Sequence, residues 1–467
     1  MKILIHSLAT AVFTLLPPIS AQLSGSVGPT TSRTSKRSKV CNVLDYGGVA
    51  SKTSDIGPPI ASAFAACKNG GTVYIPPGDY GMSTWAALSG GKSWALQLDG
   101  IIYRVGTGGG HMISVSSTSD FEFYSSTSKG AMQGYGYTFH AGTLPPSSSP
   151  PSSSLPFPKS NFQPAGNYGP RLIRLTKVTD FSIHDLALVD AGAFHLIMDT
   201  CSDGEVYNMI IRGGNEGGLD GIDIWGSNIH VHDVEVTNRD ECVTVKSPAS
   251  NMLIENIYCN WSGGCAMGSL GSDTAISNIH YRNIYTQNSN QMYMLKSRGG
   301  SGSVKNCTFE SFLGHSNAYT LDLNADWSSQ KVATGYGVLY QDITFRDWRG
   351  TCSNGVQRGP VQVLCPDKVP CTGIVVEGFS VWTESGSSVV WKCQNAYGSG
   401  ACLKAGSGSG YAVVTSTINT APSGYASDPK MPNDLTAGFA LTSSIPIPPI
   451  PTTFFPGATP ASKLLGG

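Results

Sequence analysis

The chain has 467 residues, 30 basic and 31 acidic side chains, a formal net charge of -1 and only 13% charged residues. Set against the roughly 25% of an ordinary soluble domain, this leaves no basic field to gather nucleic acid or an anionic membrane surface, so neither is an expected partner. With 56 glycines and 40% hydrophobic residues, the composition suits a turn-rich β protein and excludes coiled coil and disorder.

In chain order, residues 1–21 combine Lys2, an apolar run from Leu8 to Leu16 and the small residues Ser20-Ala21 before Gln22. This is the pattern of a cleaved secretory signal, too short to span a membrane. Since no later segment approaches roughly 18 uninterrupted apolar residues, the expectation is a secreted, extracellular protein without a membrane anchor. Twelve cysteines in such a chain favour disulfides over metal ligands, and no Cys or Cys/His spacing suggests a zinc site. Residues 22–40 are Ser/Thr-rich and are expected to be loosely ordered. The organised domain is expected over 41–406, opening with helical spacing from Ile56 to Ala66. Residues 144–166, a Pro/Ser tract, read as a flexible insertion. The Ser/Thr/Pro-rich residues 407–467 are expected to pack on that domain or trail from it. Two sequons, at Asn260 and Asn306, are candidate glycan sites.

From residue 180 onward an Asn or Asp introduces a short β triplet at Asp185, Asn208, Asp233, Asn256, Asn283 and Asn306, at intervals of 23, 25, 23, 27 and 23 residues. A second column, Trp225-Gly226-Ser227, Val245-Lys246-Ser247, Met267-Gly268-Ser269 and Leu295-Lys296-Ser297, recurs at 20, 22 and 28 residues. Strand triplets, Asn/Gly turns and this period match one coil of a right-handed parallel β-helix, each coil stacking on the last at about 4.8 Å. A β-sandwich gives turn signals at shorter spacing and has no reason to repeat an Asn column. Leucine-rich repeats share the period but need a leucine framework that is missing. Asp185, Asp233 and Asp342, lying in the column that runs along the whole chain, read as turn residues.

Counting back six residues from the second column aligns Asp220, Asp240, Ser262 and Asn290. Asp223 and Glu241 stand beside the two aspartates, and Lys246 and Lys296 at the far end of the same strands. One coil on, Asp322 falls in the lysine column and His315 just before the aspartate column. Carboxylates grouped this closely raise one another's pKa, which suits a general acid. Glycoside hydrolysis needs one protonated and one ionised carboxyl, and inverting enzymes hold them roughly 6.5–9.5 Å apart, a distance adjacent coils can supply. A calcium site is an alternative use of the same oxygens, weighed against by the nearby lysines.

Four segments carry a resemblance: Gly218-Leu219-Asp220-Gly221-Ile222-Asp223, Arg239 to Lys246, Ser262 to Ser269, and Met294-Leu295-Lys296. In order and spacing they resemble the signature segments of the polygalacturonase-like pectin hydrolases, over roughly residues 40–400. Where polygalacturonases carry Asp-Asp, Gly-His-Gly and Arg-Ile-Lys, this chain has Asp240-Glu241, Gly264-Cys265-Ala266 and Met294-Leu295-Lys296. These replacements, with the stretch Thr200 to Gly218, are similar to the fungal rhamnogalacturonases. The resemblance implies a right-handed parallel β-helix and an endo-acting, inverting hydrolase of the galacturonate–rhamnose linkages in the rhamnogalacturonan I backbone of pectin. No metal or other cofactor is expected, and a lone β-helix with no obvious interaction domain is expected to be a monomer. It implies Asp240 as proton donor and Asp220 and Glu241 as candidates to deprotonate water. His315 is implied at the active site, and Lys296, Lys246, Asp223 and Arg298 as substrate-binding residues. It also implies the disulfides Cys41–Cys67, Cys242–Cys259, Cys365–Cys371 and Cys393–Cys402. A polygalacturonase acting on homogalacturonan, a calcium-dependent pectate lyase and a non-catalytic carbohydrate-binding β-helix are the alternatives, the last disfavoured by the carboxylate cluster.

Overall fold

The computed structural model describes residues 23–140, 169–423, 425, 435 and 437–454. The expected signal at 1–21 and the insertion at 144–166 lie outside the described residues. Strand makes up 56% of the chain and helix 6%, which sets the class as all-β. The strands pair in parallel, coil on coil, into a right-handed parallel β-helix of about eleven turns, the hand favoured when a twisted strand returns to its own sheet.

Each coil is one long strand bent at fixed corners. Asp185, Asn208, Asp233, Asn256, Asn283 and Asn306 have φ between 49° and 57°, and so does a second column five residues earlier, Asp180, Asp203, Asn228, Asn251 and Asn278, at 52–57°. Asn and Asp are the non-glycine residues that tolerate this left-handed conformation. Between corners the strands alternate. Ile229 and Val231 point inward on the strand Ile222–Thr237, and register carries Ile229 onto Met252, Ile279, Cys307 and Ile343 of successive coils. All five are buried, and burying each such aliphatic side chain contributes roughly 1.5–3 kcal/mol. Aromatic rungs continue the stack, with Phe312–Trp348 centroids at 4.2 Å and Phe309–Phe345 at 5.1 Å.

The ends are closed differently. The helix Gly57–Cys67, started by prolines in its first turn, turns Ile60, Ala63 and Phe64 into the first coils, and Phe64 meets Trp94 at 4.8 Å. At the far end the strand Val414–Ile418 pairs antiparallel with Val389–Gln394. Ile445, Ile450 and Phe454 pack on Ala131, Ala187, Val189 and Ile210.

Residues 23–39 do not have the loose order expected of a Ser/Thr-rich stretch. Its few charges anchor it, because Lys36 is fully buried 3.1 Å from Asp120 and Arg33 reaches Glu122 at 2.7 Å. The second sequence column also needs correction. Ile224 pairs with Val245, so Trp225, not Gly226, stands level with Lys246, and a bulge then realigns Gly226 with Ala249. Likewise Lys296 pairs with Asn324, which moves Asp322 beside Met294 and out of the lysine column.

Candidate active site

Two outward columns on one sheet form the floor of the site. The first runs Asp223, Thr244, Ala266, Met294, Asp322, Gln362 and the second Lys246, Gly268, Lys296, Asn324. The residues between them, Ile224, Val245, Met267, Leu295 and Leu323, point into the core, so period-2 alternation turns both columns to the outer face of the sheet, where Asp223, Thr244, Met294 and Asp322 are nonetheless covered and Lys246 and Lys296 are half-buried. Ala266 and Gly268 make a saddle between the two lysines. A Cβ at Gly268, whose φ is +121°, would sit 2.5 Å from the Lys296 carbonyl oxygen and 3.1 Å from its Cγ. The saddle lets the Lys296 ammonium cross the intervening coil to Glu241.

Asp220 and Glu241 arrive from adjacent coils. The pairing Ile222↔Val243 and the hydrogen bond from the Gly221 amide to the Glu241 carbonyl put Asp220 level with Glu241, not with Asp240. Carboxylate oxygens of Asp220, Asp240 and Glu241 lie within 4.8 Å of one another. That is closer than the expected inverting separation, because neighbouring strands stand only about 4.8 Å apart. Asp220 is 4% exposed, Asp223 1% and Glu241 6%, while Asp240 is half-buried. The same oxygens are a set that a hard divalent cation can bridge, though two ammonium groups already contact the cluster. Lys246 lies 3.2 Å from Asp223 and 3.7 Å from Asp220, and Lys296 pairs with Glu241.

The backbone around these side chains is held by hydrogen bonds to neighbouring polar groups. Asn238 donates to the carbonyls of Leu219 at 2.8 Å and Glu241 at 2.9 Å, tying the two carboxylate-bearing turns together. Asp240 accepts from the Glu241 amide at 2.8 Å and from the Gly218 amide. Ser262 donates to the Asp240 carbonyl at 2.9 Å and accepts from the Gly264 amide at 3.1 Å. His195, fully buried, packs its Nδ1 3.1 Å from the Asp220 carbonyl; burial pushes this imidazole down to about 4, so it is neutral and donates there. Cys242 and Cys259 form a disulfide that ties Glu241's strand to its own far end, a constraint of roughly 2–4 kcal/mol.

Burial, reinforced by the charges of Asp223 and Asp240, holds Asp220 well above the usual carboxylate range, with Lys246 and Lys296 opposing. Burial also raises Asp223, against Lys246. Burial disfavours the Lys246 ammonium, yet Asp223 and Asp220 outweigh it and raise its pKa. Asp220 and Asp223 are thus held above the usual carboxylate range beside two lysines, the kind of unequal environment that lets acid and base coexist.

The predicted residues do not all meet. Asp220, Asp223, Asp240, Glu241, Lys246 and Lys296 converge. Lys246 is an internal counter-ion, since both its partners are buried carboxylates. His315 does not join them. Its strand position is reached from Arg239 by three ladder steps, through Trp261 and Asn288, about 14 Å at the strand spacing, and its enclosed Nδ1 has no hydrogen-bond partner among the described residues. Arg298 is committed to the loop beyond it, donating to Asp326 at 3.1 Å and to the carbonyls of Ser328 and Gln330 at 3.3 Å. Asn260 is 1% exposed with its amide enclosed, so the folded chain does not offer it to a glycan, whereas Asn306 is exposed at a corner. Cysteines 41 and 67, 365 and 371, and 393 and 402 are also bonded in pairs.

Sequence reasoning missed Asn238 and His195, whose work is done through backbone carbonyls. It also missed four flanking arginines. Arg171 lies close enough to feel Asp220 and Asp223, with Arg174 aligned on the Asp223 column through Ile197. Arg239 lies close enough to feel Arg358, which stands 5.1 Å over the Tyr319 ring. Clustering of cations around an acidic centre was the only available signal, and it needs the fold to appear.

Comparison with known proteins fits this geometry. The family model for Glycosyl hydrolases family 28 matches residues 159–403. A probable rhamnogalacturonase B of Aspergillus fumigatus is 60% identical over 96% of this chain and 82% of its own length. Rhamnogalacturonase A of Aspergillus aculeatus is 58% identical over 96% of this chain and 97% of its own. Among solved structures, endo-xylogalacturonan hydrolase from Aspergillus tubingensis superposes with a TM-score of 0.61 at 20% identity, covering 79% of this chain and 99% of that one. The polygalacturonase from Erwinia carotovora gives 0.55 at 14% identity over 78% and 98%. These two likenesses speak to the fold.

Proposed function

The chain belongs to family 28 of the glycosyl hydrolases and is a glycoside hydrolase, and from that premise we propose that it is a secreted monomer that cuts galacturonate–rhamnose linkages within the rhamnogalacturonan I backbone of pectin, with inversion. The substrate reading rests on relatives named rhamnogalacturonases at 58–60% identity across nearly the whole chain. The observation that carries the mechanism is the convergence of Asp220, Asp240 and Glu241 within 4.8 Å under two lysines.

Asp240, the half-buried member, faces the groove where a glycosidic oxygen can reach it and is the proton donor. Asp220 and Glu241 lie deeper, side by side, and hold one water between them. As the bond to the leaving sugar breaks, Asp240 delivers its proton to the departing oxygen. The water loses a proton to the Asp220–Glu241 pair and adds to the opposite face of the anomeric carbon. Separation alone would suit a nucleophile at roughly 5–5.5 Å and retention. The third carboxylate favours inversion, since a double displacement needs two and leaves the other without work. Lys296, on the groove floor beside Glu241, can share its charge with a uronate carboxylate. Asp223 and Lys246 set the charge on Asp220. Arg171, Arg174, Arg239 and Arg358 flank the cluster where alternate sugars of the polymer carry negative charge.

The test offers deacetylated rhamnogalacturonan and polygalacturonan in parallel and reads products by chromatography and proton NMR. Oligomers with non-reducing rhamnose and initially inverted anomers, from the first substrate only, are expected. Asp240→Asn should abolish turnover while leaving fold and oligosaccharide binding in place. Retained anomers would make one deep carboxylate a nucleophile. Unsaturated products lost on chelation would turn the cluster to elimination, and polygalacturonan cleavage would overturn the substrate reading.

A further inference from the structure

On a different face of the β-helix, the outward side chains form a ladder of acids, imidazoles and arginines. Register aligns Glu122, Ser182, Glu205 and His230 in one column and Tyr124, His184, Tyr207, His232, Glu255, Arg282, Glu310 and Arg346 in the next. Three of its four glutamates are matched by a guanidinium. Arg33 reaches Glu122 at 2.7 Å, Arg282 reaches Glu255 at 2.5 Å, and Arg346 pairs with Glu310. Glu205 differs, because its ion-pair partners among the described residues are the imidazoles of His230 and His232.

The two imidazoles are turned toward Glu205 by carboxylates behind them. His232 Nδ1 is 2.7 Å from Asp233 and its Nε2 is 3.1 Å from Glu205 Oε1. His230 Nε2 is 2.9 Å from Glu255 Oε1, and its Nδ1 is 3.8 Å from the same Glu205 oxygen. One nitrogen of each ring is thus fixed by a carboxylate and the other points at a common centre with Glu205. A carboxylate behind each histidine, fixing tautomer and ring plane, is how metal-bound imidazoles are oriented. Tetrahedral zinc with bonds of ~2.0–2.1 Å spaces its N and O ligands about 3.3 Å apart. The three ligand atoms, all within 4.8 Å of one another, need only small side-chain rotations to match. His230 and His232 come from one strand and Glu205 from the coil before, and the ring centroids lie 4.2 Å apart with the planes tilted by 33°.

We propose that Glu205, His230 and His232 form a zinc-binding site, with Asp233 and Glu255 as the groups that orient its histidines and water completing the coordination. Bound there, the cation supplies to Glu205 the charge that arginines supply to the other glutamates, and it clips two coils together. Imidazole nitrogen and carboxylate oxygen suit zinc over the hard cations that prefer all-oxygen shells.

The experiment titrates the full-length, EDTA-treated and dialysed protein with zinc sulfate at pH 8 by calorimetry, with calcium chloride as the contrasting ion, and follows thermal unfolding with and without zinc. One zinc per chain, no calcium uptake and a zinc-dependent rise in Tm are expected. Glu205→Gln and His230→Asn should each abolish the stoichiometric step and the Tm rise. Asp233→Asn, which keeps all three ligands, should weaken binding about 10–100-fold. Circular dichroism of each variant in EDTA checks the fold, and rhamnogalacturonan hydrolysis should be unchanged, the site being on another face. Absence of a saturable one-to-one step in the wild type overturns the proposal, as does zinc uptake that survives both substitutions.

Discussion

Replacing Lys246 by methionine tests the electrostatic account of the carboxylate cluster. The ammonium stands 3.7 Å from Asp220 and 3.2 Å from Asp223. At an effective dielectric constant of about 20, a unit charge at the longer distance is worth about 4.5 kcal/mol, or about 3 pKa units. Water reaches Lys246 through the 16% of its side chain that is exposed, which screens the interaction, and a nearby opposite charge typically moves a carboxyl by about 1–3 units. The sign is fixed, because Lys246 favours ionised Asp220 and its loss raises an already raised pKa. If Asp220 must be ionised to activate water, the acid limb of the kcat/KM profile moves to higher pH by about 1–2 units. Lys246→Arg, which keeps the charge, should restore most of the shift. Stability should fall by about 3–5 kcal/mol at neutral pH, where two buried carboxylates lose their partner, and recover on acidification as they take up protons. An unmoved acid limb would refute Asp220 as the base, and movement of the alkaline limb alone would make Asp220 the acid.

Two further outcomes follow from single groups. Asp322 is buried, and burial raises it to about 6 from 3.8. Its folded form binds the proton more tightly than the unfolded chain, so it costs nothing below about 3.8 and, above 6, about 3 kcal/mol. Asp322→Asn, still accepting from Gln362, should therefore raise Tm by about 3–4 °C at pH 7.5 and leave it unchanged at pH 3.5; an equal gain at both values would refute the assignment. Glu122 goes the other way. Burial opposes its charge, but His184 and Arg33 hold it down at about 2, so its contribution is complete above 4.5 and is lost as pH falls toward 2. The Tm gap between wild type and Glu122→Gln should be widest near pH 6, narrow from about pH 4.5 and close only below about pH 2, a closure that calorimetry would detect.

The period and the Asn column were readable from sequence because the left-handed corner restricts the residue type, and Asp185 to Asn306 obey that restriction coil after coil. The companion column at Asp180 to Asn278 was hidden, since two of its five members are aspartates among other surface acids. Register within a coil was harder to read. The bulge after Ile224 and the longer stretch from Val245 to Ala249 shift alignment without changing the motif, which is why Gly226 was aligned with Lys246 and Asp220 with Asp240. Charged residues that cluster on few coils stood out, and six of them do converge. Arg298 and His315 stand apart from the carboxylates, the guanidinium donating to its own loop, because nearness in a motif does not fix the direction of a side chain. Asn238 acts through two carbonyls, and carbonyls have no sequence signature.

The closed ends of the β-helix decide what the protein does beside other copies of itself. A stack of parallel strands is a template, and an open last coil would accept another coil from any neighbour that presents one. Here the first coil meets the side of the helix Gly57–Cys67, which has no strand edge to offer. The last is met by Val414–Ile418 running the opposite way, a direction in which the parallel ladder cannot continue. Among the described residues the parallel repeat is thereby interrupted at both ends, so a second copy cannot simply extend its ladder from the strand Val389–Gln394.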